Sequence, residues 1–178
     1  MNTAIFISTL LFFQAAPKPL IDNARVTVWE GEPPAGSFVN DSVTVTTNGA
    51  VRYYKKDSLA VGAKLIISLK PAKVAALANT SGFPLAMPRP GAIKILDNDR
   101  VTAWDYTWAL NKPTPMHFHD KDVVVMFLEE GDLKSTTAKG EVTLNQYKPG
   151  TIRFNARDRV HTEELTRGKQ RAIIVELK

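Results

Sequence analysis

The chain of 178 residues contains no cysteine, which excludes a disulfide framework, thiolate chemistry and any cysteine-based zinc site. A metal, if there is one, must be held by histidine and carboxylate. Histidine is nearly as scarce, with three in the chain, His117, His119 and His161. The N-terminal apolar segment Ala4 to Phe13 falls short of the ~20 residues that cross a bilayer as a helix, so no membrane span is expected. A clustered basic stripe is also lacking. Lys and Arg number 23 against 18 acids, a formal charge of +5, but they are scattered among acids, as at Lys55-Lys56, Arg153, Arg157, Arg159 and Lys169. This reads as a solvated face and argues against a nucleic-acid partner. The positive balance would instead draw in an anionic small molecule.

Hydrophobic residues make up 44% of the chain, and 10 Gly and 11 Pro punctuate it. That suits one compact, turn-rich β protein and argues against disorder. Ala4 to Phe13, followed by Gln14-Ala15-Ala16 and the turn-prone Pro17-Lys18-Pro19, has the length of a signal-peptide core. Residues 1–16 are therefore expected to be an export signal, with a periplasmic or secreted product. The alternative is an N-terminal strand or helix docked on the core of a cytoplasmic protein.

After Pro19 the chain repeats itself. Leu20-Ile21-Asp22-Asn23-Ala24-Arg25-Val26-Thr27-Val28-Trp29-Glu30 matches Ile95-Leu96-Asp97-Asn98-Asp99-Arg100-Val101-Thr102-Ala103-Trp104-Asp105 with six identities in eleven. Ser42 to Gly49 corresponds to Val124 to Gly131, and Ala63 to Lys70 to the closing segment Arg171 to Lys178. The pattern implies a duplicated β unit, residues 17–90 forming a first half with its linker and 91–178 a second. The first half carries no histidine; aligned on the shared glycine, Ala35 and Ser37 stand where the second half has His117 and His119. Between the halves, Pro71 to Ala78 suits a short linking helix with Pro71 in its first turn, and the proline-rich stretch Ser81 to Gly91 an extended linker.

The second half reads as strand after strand. Val101 to Trp108 alternates, with Thr102, Trp104, Tyr106 and Trp108 on one face, a core or pocket wall. Leu133 to Thr137 pairs with Glu141 to Leu144 across Ala138-Lys139-Gly140, and Lys148-Pro149-Gly150 makes another turn before a strand over Thr151 to Phe154. Short strands at regular spacing point to a sandwich or barrel. His117 and His119 flank Phe118 at the entry to the apolar run Val123 to Leu128, so both project to one face of a strand and can share a ligand. With His161 added, three imidazoles suffice for a divalent transition metal and leave positions open. Glu163, two residues beyond His161, faces the same way and is a candidate fourth ligand or general base. Asp120 and Asp122 are nearer the histidine pair in sequence, at an expected solvent rim. Met126, Phe127 and Leu128 read as packing.

These residues resemble the cupin superfamily (RmlC-like). The first motif of that family has His-x-His, three or four residues, a Glu, six residues and a Gly; His117-x-His119, a four-residue gap to Val124 and six further residues to Gly131 follow that spacing, with Val124 where the motif has Glu. Pro149-Gly150 and His161 match the second motif, whose Pro-x-Gly positions are here Ala156 and Asp158 and whose Asn is Leu165. The resemblance covers residues 95–178, and reaches 20–70 through the internal repeat. It implies an all-β double-stranded β-helix, a jelly-roll barrel with His117, His119 and His161 in its mouth. It also implies a divalent metal of the Fe, Mn, Zn or Ni kind, a small-molecule ligand, and a homodimer formed through sheet faces. Two functions stay open: a metal-dependent enzyme of dioxygenase, isomerase or lyase type acting on a small oxygen-rich molecule, and a non-catalytic binding or structural module of the cell envelope.

Overall fold

Alternating apolar residues make strands of most of the chain, and Gly, Pro and Asn decide where the strands stop. The computed structural model describes residues 18–31, 39–58 and 62–178; within them there are fourteen strands and no helix. In chain order these are β1 (Ile21–Asp22), β2 (Val26–Glu30), β3 (Ser42–Val45), β4 (Val51–Tyr54), β5 (Leu65–Leu69), β6 (Ile93–Asp97) and β7 (Val101–Trp108). There follow β8 (His117–His119), β9 (Val123–Phe127), β10 (Gly131–Thr137), β11 (Val142–Tyr147), β12 (Ile152–Asn155), β13 (Arg159–Gly168) and β14 (Gln170–Leu177). The segment 1–16 expected as an export signal, and Ala35 and Ser37, lie outside the described residues.

The strands build three sheets, of orders β1-β2-β5-β3-β4, β12-β9-β14-β7-β6 and β11-β10-β13-β8. The second lies in the middle, and its strands are sorted by side-chain parity. Val101, Ala103, Val124, Met126, Ile173, Val175 and Leu177 pack against Val26, Val28, Val43 and Val45 of the first sheet. Their neighbours Trp104, Tyr106, Trp108, Val123, Val125, Phe127 and Ile174 face the third sheet, where they meet Leu133 and Leu165. A sheet buried on both faces needs unbroken apolar strands, which is why Val123 to Phe127 does not alternate. The second and third sheets enclose the double-stranded β-helix.

The hairpin Leu133 to Leu144 forms as the sequence reads. The Gly140 N–H donates to Thr137 O at 2.9 Å, with Gly140 at φ +83°, a conformation glycine reaches without a Cβ clash. The two matched sequence segments make corresponding hydrogen bonds. Asn23 Oδ1 accepts the N–H groups of Arg25 and Val26 at 2.8 and 3.0 Å; Asn98 Oδ1 accepts those of Arg100 and Val101 at 2.9 and 3.0 Å. Thr27 donates to Asp22 as Thr102 does to Asp97, both at 3.0 Å. The two arginines cross over: Arg25 reaches Lys178 O at 3.4 Å and Arg100 reaches Lys70 O at 2.7 Å. The first and middle sheets share one strand order, but the four-stranded third sheet has no counterpart among the described residues of the first half.

The linking helix expected over Pro71 to Ala78 does not form; the segment runs without regular structure. A helix of eight residues is marginal unless an apolar face docks, and this stretch is largely exposed. Its backbone turns to distant partners instead: the Leu77 N–H donates to Asp120 O at 2.9 Å, and Ala75 O accepts from Arg157. The stretch Ser81 to Gly91 runs in bends around a single bridge residue, Leu85, opposite Phe118 of β8, where the Phe118 N–H donates to Pro84 O and the Ala86 N–H to Phe118 O, both at 2.8 Å. That docking carries Met87 and Arg89 to the barrel mouth.

Candidate metal centre

Register brings the three histidines together. β8 and β13 run antiparallel with His117 opposite His161 and His119 opposite Arg159, and residues opposite each other project to one face. The imidazoles meet with ring centroids 4.9–5.0 Å apart, and one ligand nitrogen from each lies within 4.8 Å of the others. Metal bonds of about 2.0–2.1 Å ask the nitrogens to close in slightly from that spread.

The hydrogen bonds decide which nitrogens are free. His117 Nδ1 lies 2.8 Å from Pro115 O. A carbonyl only accepts, so Nδ1 carries the proton and the lone pair sits on Nε2. That Nε2 is buried and has no hydrogen-bond partner. Ser135 Oγ lies 3.0 Å from His161 Nδ1, leaving His161 Nε2 to face His119 Nε2 at 3.0 Å. Burial holds His117 and His119 below the ordinary imidazole pKa and His161 down at about 4, despite the opposing pull of Glu163. All three are therefore neutral near pH 7, the form a metal needs. A buried, aimed and unpartnered nitrogen within a neutral three-imidazole set fits a divalent transition metal.

Glu163 stands where its spacing places it, with Oε1 4.0 Å from His161 Nε2. Its other oxygen is held by Arg89 Nη1 at 3.1 Å and by the Trp108 indole N–H at 3.2 Å. Burial works to raise its pKa, but the Arg89 guanidinium and the imidazoles outweigh it and hold the carboxyl at about 2. Glu163 is thus a fixed negative charge clamped by two donors.

Three positions differ from expectation. Val124, aligned with the motif glutamate, points away from the histidines into the core beneath the first sheet, fully buried. Strand parity turns Val123 and Val125 to the pocket instead, so the family carboxylate would face the site from 123, at the shorter of the two motif spacings. Asp120 and Asp122 are not at a solvent rim: they are 6% and 7% exposed. Asp122 pairs with Arg25 at 3.0 Å and accepts the Arg157 N–H at 2.9 Å, while Asp120 pairs with Lys121 at 2.6 Å. Asp158 keeps the turn that the motif glycine would make. It adopts φ +66°, a left-handed conformation that Asp tolerates better than most residues, and its N–H donates to His119 O at 2.9 Å.

The cavity over the histidines holds about 260 Å³, near the lower end of small-molecule sites. Four of its residues escaped the sequence reading. Arg89 arrives on the linker and stacks on Tyr106, 4.0 Å from the ring centroid. Arg153 and Arg159 come from β12 and β13. Glu176 is 5% exposed and takes the Trp104 indole N–H at 2.9 Å, its pKa raised by burial. A signal for Glu176 was present: one acid inside the apolar strand Ala172 to Leu177. Nothing local marked Arg89.

No family model matches the chain, and no curated protein does. Solved structures do. A cupin domain from Bordetella pertussis Tohama I is 26% identical, over 52% of this chain and 98% of that one, with a TM-score of 0.44. An RmlC-like cupin family protein with a double-stranded β-helix fold from Methanocaldococcus jannaschii is 14% identical, over 60% and 91%, at 0.41. The polyketide cyclase RemF from Streptomyces resistomycificus is 21% identical, over 58% and 79%, also at 0.41. The chain is thus similar in fold to cupin and RmlC-like cupin proteins, and its three histidines lie together between the second and third sheets.

Proposed function

We propose that the barrel binds one divalent transition metal, of the Fe, Mn, Zn or Ni kind, through His117, His119 and His161, and presents it to a small molecule in the cavity. The observation that carries this is the buried His117 Nε2, its tautomer fixed by Pro115 O and its lone pair aimed at the other two imidazoles. A metal held by three imidazoles supplies Lewis acidity to a bound oxygen. The chain's own residues supply the rest. Met87 and Trp108 wall the cavity against water, and Ser135 orients His161. Glu163 offsets the positive charge beside His161, and would serve as a general base only on release from Arg89. This arrangement supports an enzyme acting on a small oxygen-rich substrate.

A second reading, a non-catalytic small-molecule or metal-binding module of the cell envelope, is favoured by Val123 and Val125. They put methyl groups where a carboxylate ligand would face the histidines. We further infer that the first sheet is a copy of the middle one that retained its strand order without a site. The export of the protein rests on the composition of residues 1–16.

Elemental analysis of untagged protein beside His117→Ala tests the centre. The proposal expects one transition metal per chain, lost in the variant. It fails if the wild type holds none and added Fe(II), Mn(II), Zn(II) or Ni(II) leaves the melting temperature unchanged. The two readings then separate on accessibility: an enzyme-like centre exchanges bound water for added azide with a spectroscopic change in the Co(II) form, and a closed one does not.

A further inference from the structure

The cavity holds more guanidinium than its acids occupy. Arg89 has a counter-charge, because its Nη1 meets Glu163 and its plane covers Tyr106, although its Nε is buried without a partner. Arg159 is not. It lies opposite His119 in register, on the same face of β13 as His161 and Glu163, and spends its Nε on Ala156 O at 2.6 Å. Its Nη2 is buried with no protein acceptor. Arg153, on β12 and beside the Tyr147 ring at 5.9 Å, also points into the cavity. Neither arginine forms an ion pair among the described residues, and Glu176, the other acid here, is engaged by Trp104. A buried donor without a partner is rare and costly in a native protein, and a guanidinium fork matches a carboxylate in shape and charge.

The wall beside these arginines is apolar. Val125 stands directly across from Arg153 in register, and Phe127 stacks on Tyr147 with centroids 3.7 Å apart and planes 10° from parallel. The geometry points to Arg159, assisted by Arg153, as the anion-binding end of the cavity, taking the carboxylate of a small organic acid whose apolar body lies along Val125 and Phe127. This deepens the metal-binding reading of the same pocket and rests on it, since the acid so held is presented to the three-histidine centre beside His119.

Calorimetric titration of the full chain, zinc-free and zinc-loaded, with benzoate, its neutral analogue benzamide and inorganic phosphate tests the inference. Benzoate is expected to bind more tightly than benzamide by about tenfold or more, the usual worth of a charge-assisted hydrogen bond. Arg159→Met should lose that margin while retaining one zinc per chain, and Arg159→Lys should keep part of it. Equal affinity for benzoate and benzamide, an Arg159→Met variant that binds benzoate like the wild type, or preference for phosphate overturns it. Should Arg159→Met not fold, the benzoate and benzamide comparison in the wild type decides alone. A protein that holds one zinc per chain and ignores benzoate loses this inference and keeps its metal centre. One that takes no zinc, yet binds benzoate through Arg159, keeps the anion site and loses the metal reading.

Discussion

Installing a glutamate on β9 gives opposite outcomes at adjacent positions. Val124 is fully buried among the aliphatic residues that join the first and middle sheets. A carboxylate there has no partner, and burial of that kind raises a carboxyl pKa by up to 3–5 units. At about 1.4 kcal/mol per unit, Val124→Glu forfeits about 4–7 kcal/mol at neutral pH. Extra atoms forced into a packed core add about 1–3 kcal/mol. Set against a typical total stability of about 5–15 kcal/mol, the variant should be unfolded or nearly so. Val123→Glu gives up the burial of one valine, about 1.5 kcal/mol, and turns its carboxylate toward the histidines. Glu176 stands across the strand from it, so the metal-free variant suffers like-charge repulsion that a bound cation removes. With zinc at a hundred times its dissociation constant, about 2.7 kcal/mol should be recovered. Urea unfolding of both variants, with and without zinc, reads these values directly. A Val124→Glu protein within about 1 kcal/mol of the wild type, or a Val123→Glu protein blind to zinc, would refute the facing derived for β9.

Three further outcomes follow from the buried charges. Arg25→Met strands Asp122 between β8 and β9, and should cost about 3 kcal/mol, the low end for a broken buried pair, because the Arg157 N–H still serves that carboxylate; chemical denaturation checks the value, and Asp122→Asn added to Arg25→Met should recover part of the loss. Glu163→Gln leaves the Arg89 guanidinium, 8% exposed, without its counter-charge, and should destabilise by a similar ~3 kcal/mol, with Arg89→Met restoring much of it in a double-mutant cycle. Acid should weaken the metal-free protein in a defined window. His161 sits at about 4 when folded against about 6.5 unfolded, so its contribution is complete above pH 6.5 and is lost as pH falls toward 4, a change of about 3 kcal/mol. Glu163 acts below that window, from about 4.5 down to 2. Urea midpoints that stay level between pH 7 and 4.5 would contradict the neutral-imidazole assignment.

The all-β class, the hairpins and the shared facing of His117 and His119 were legible because each follows from a local rule: alternation, a glycine in a turn, a His-x-His pair on one strand face; His161, 42 residues from His119, was joined to them only by the resemblance. Glu163 was placed by the same parity. The facing of Val124 was missed because the motif tolerates two gap lengths, and one residue of slip inverts a strand. Only the pairing of Val124 with Val175 and Phe154 fixes the choice. The helix over Pro71 to Ala78 was credited to propensity, which eight exposed residues cannot turn into stability. Arg89 and Arg25 belong to the site and its support through contacts spanning 74 and 97 residues, a separation that leaves no trace in a window of sequence.

The middle sheet has its outer face occupied by the chain's own first half. Val101, Ala103, Val124, Ile173 and Val175 have their partners within the same polypeptide. The protein is in that sense a dimer interface closed upon itself, with Arg25 and Arg100 exchanged across it like the reciprocal contacts of a two-fold axis. That face is covered by Val26, Val28, Val43 and Val45 of the first sheet, so it offers no free apolar surface at these positions. The contact is intramolecular, so the support it gives to β7, β9 and β14 does not depend on protein concentration.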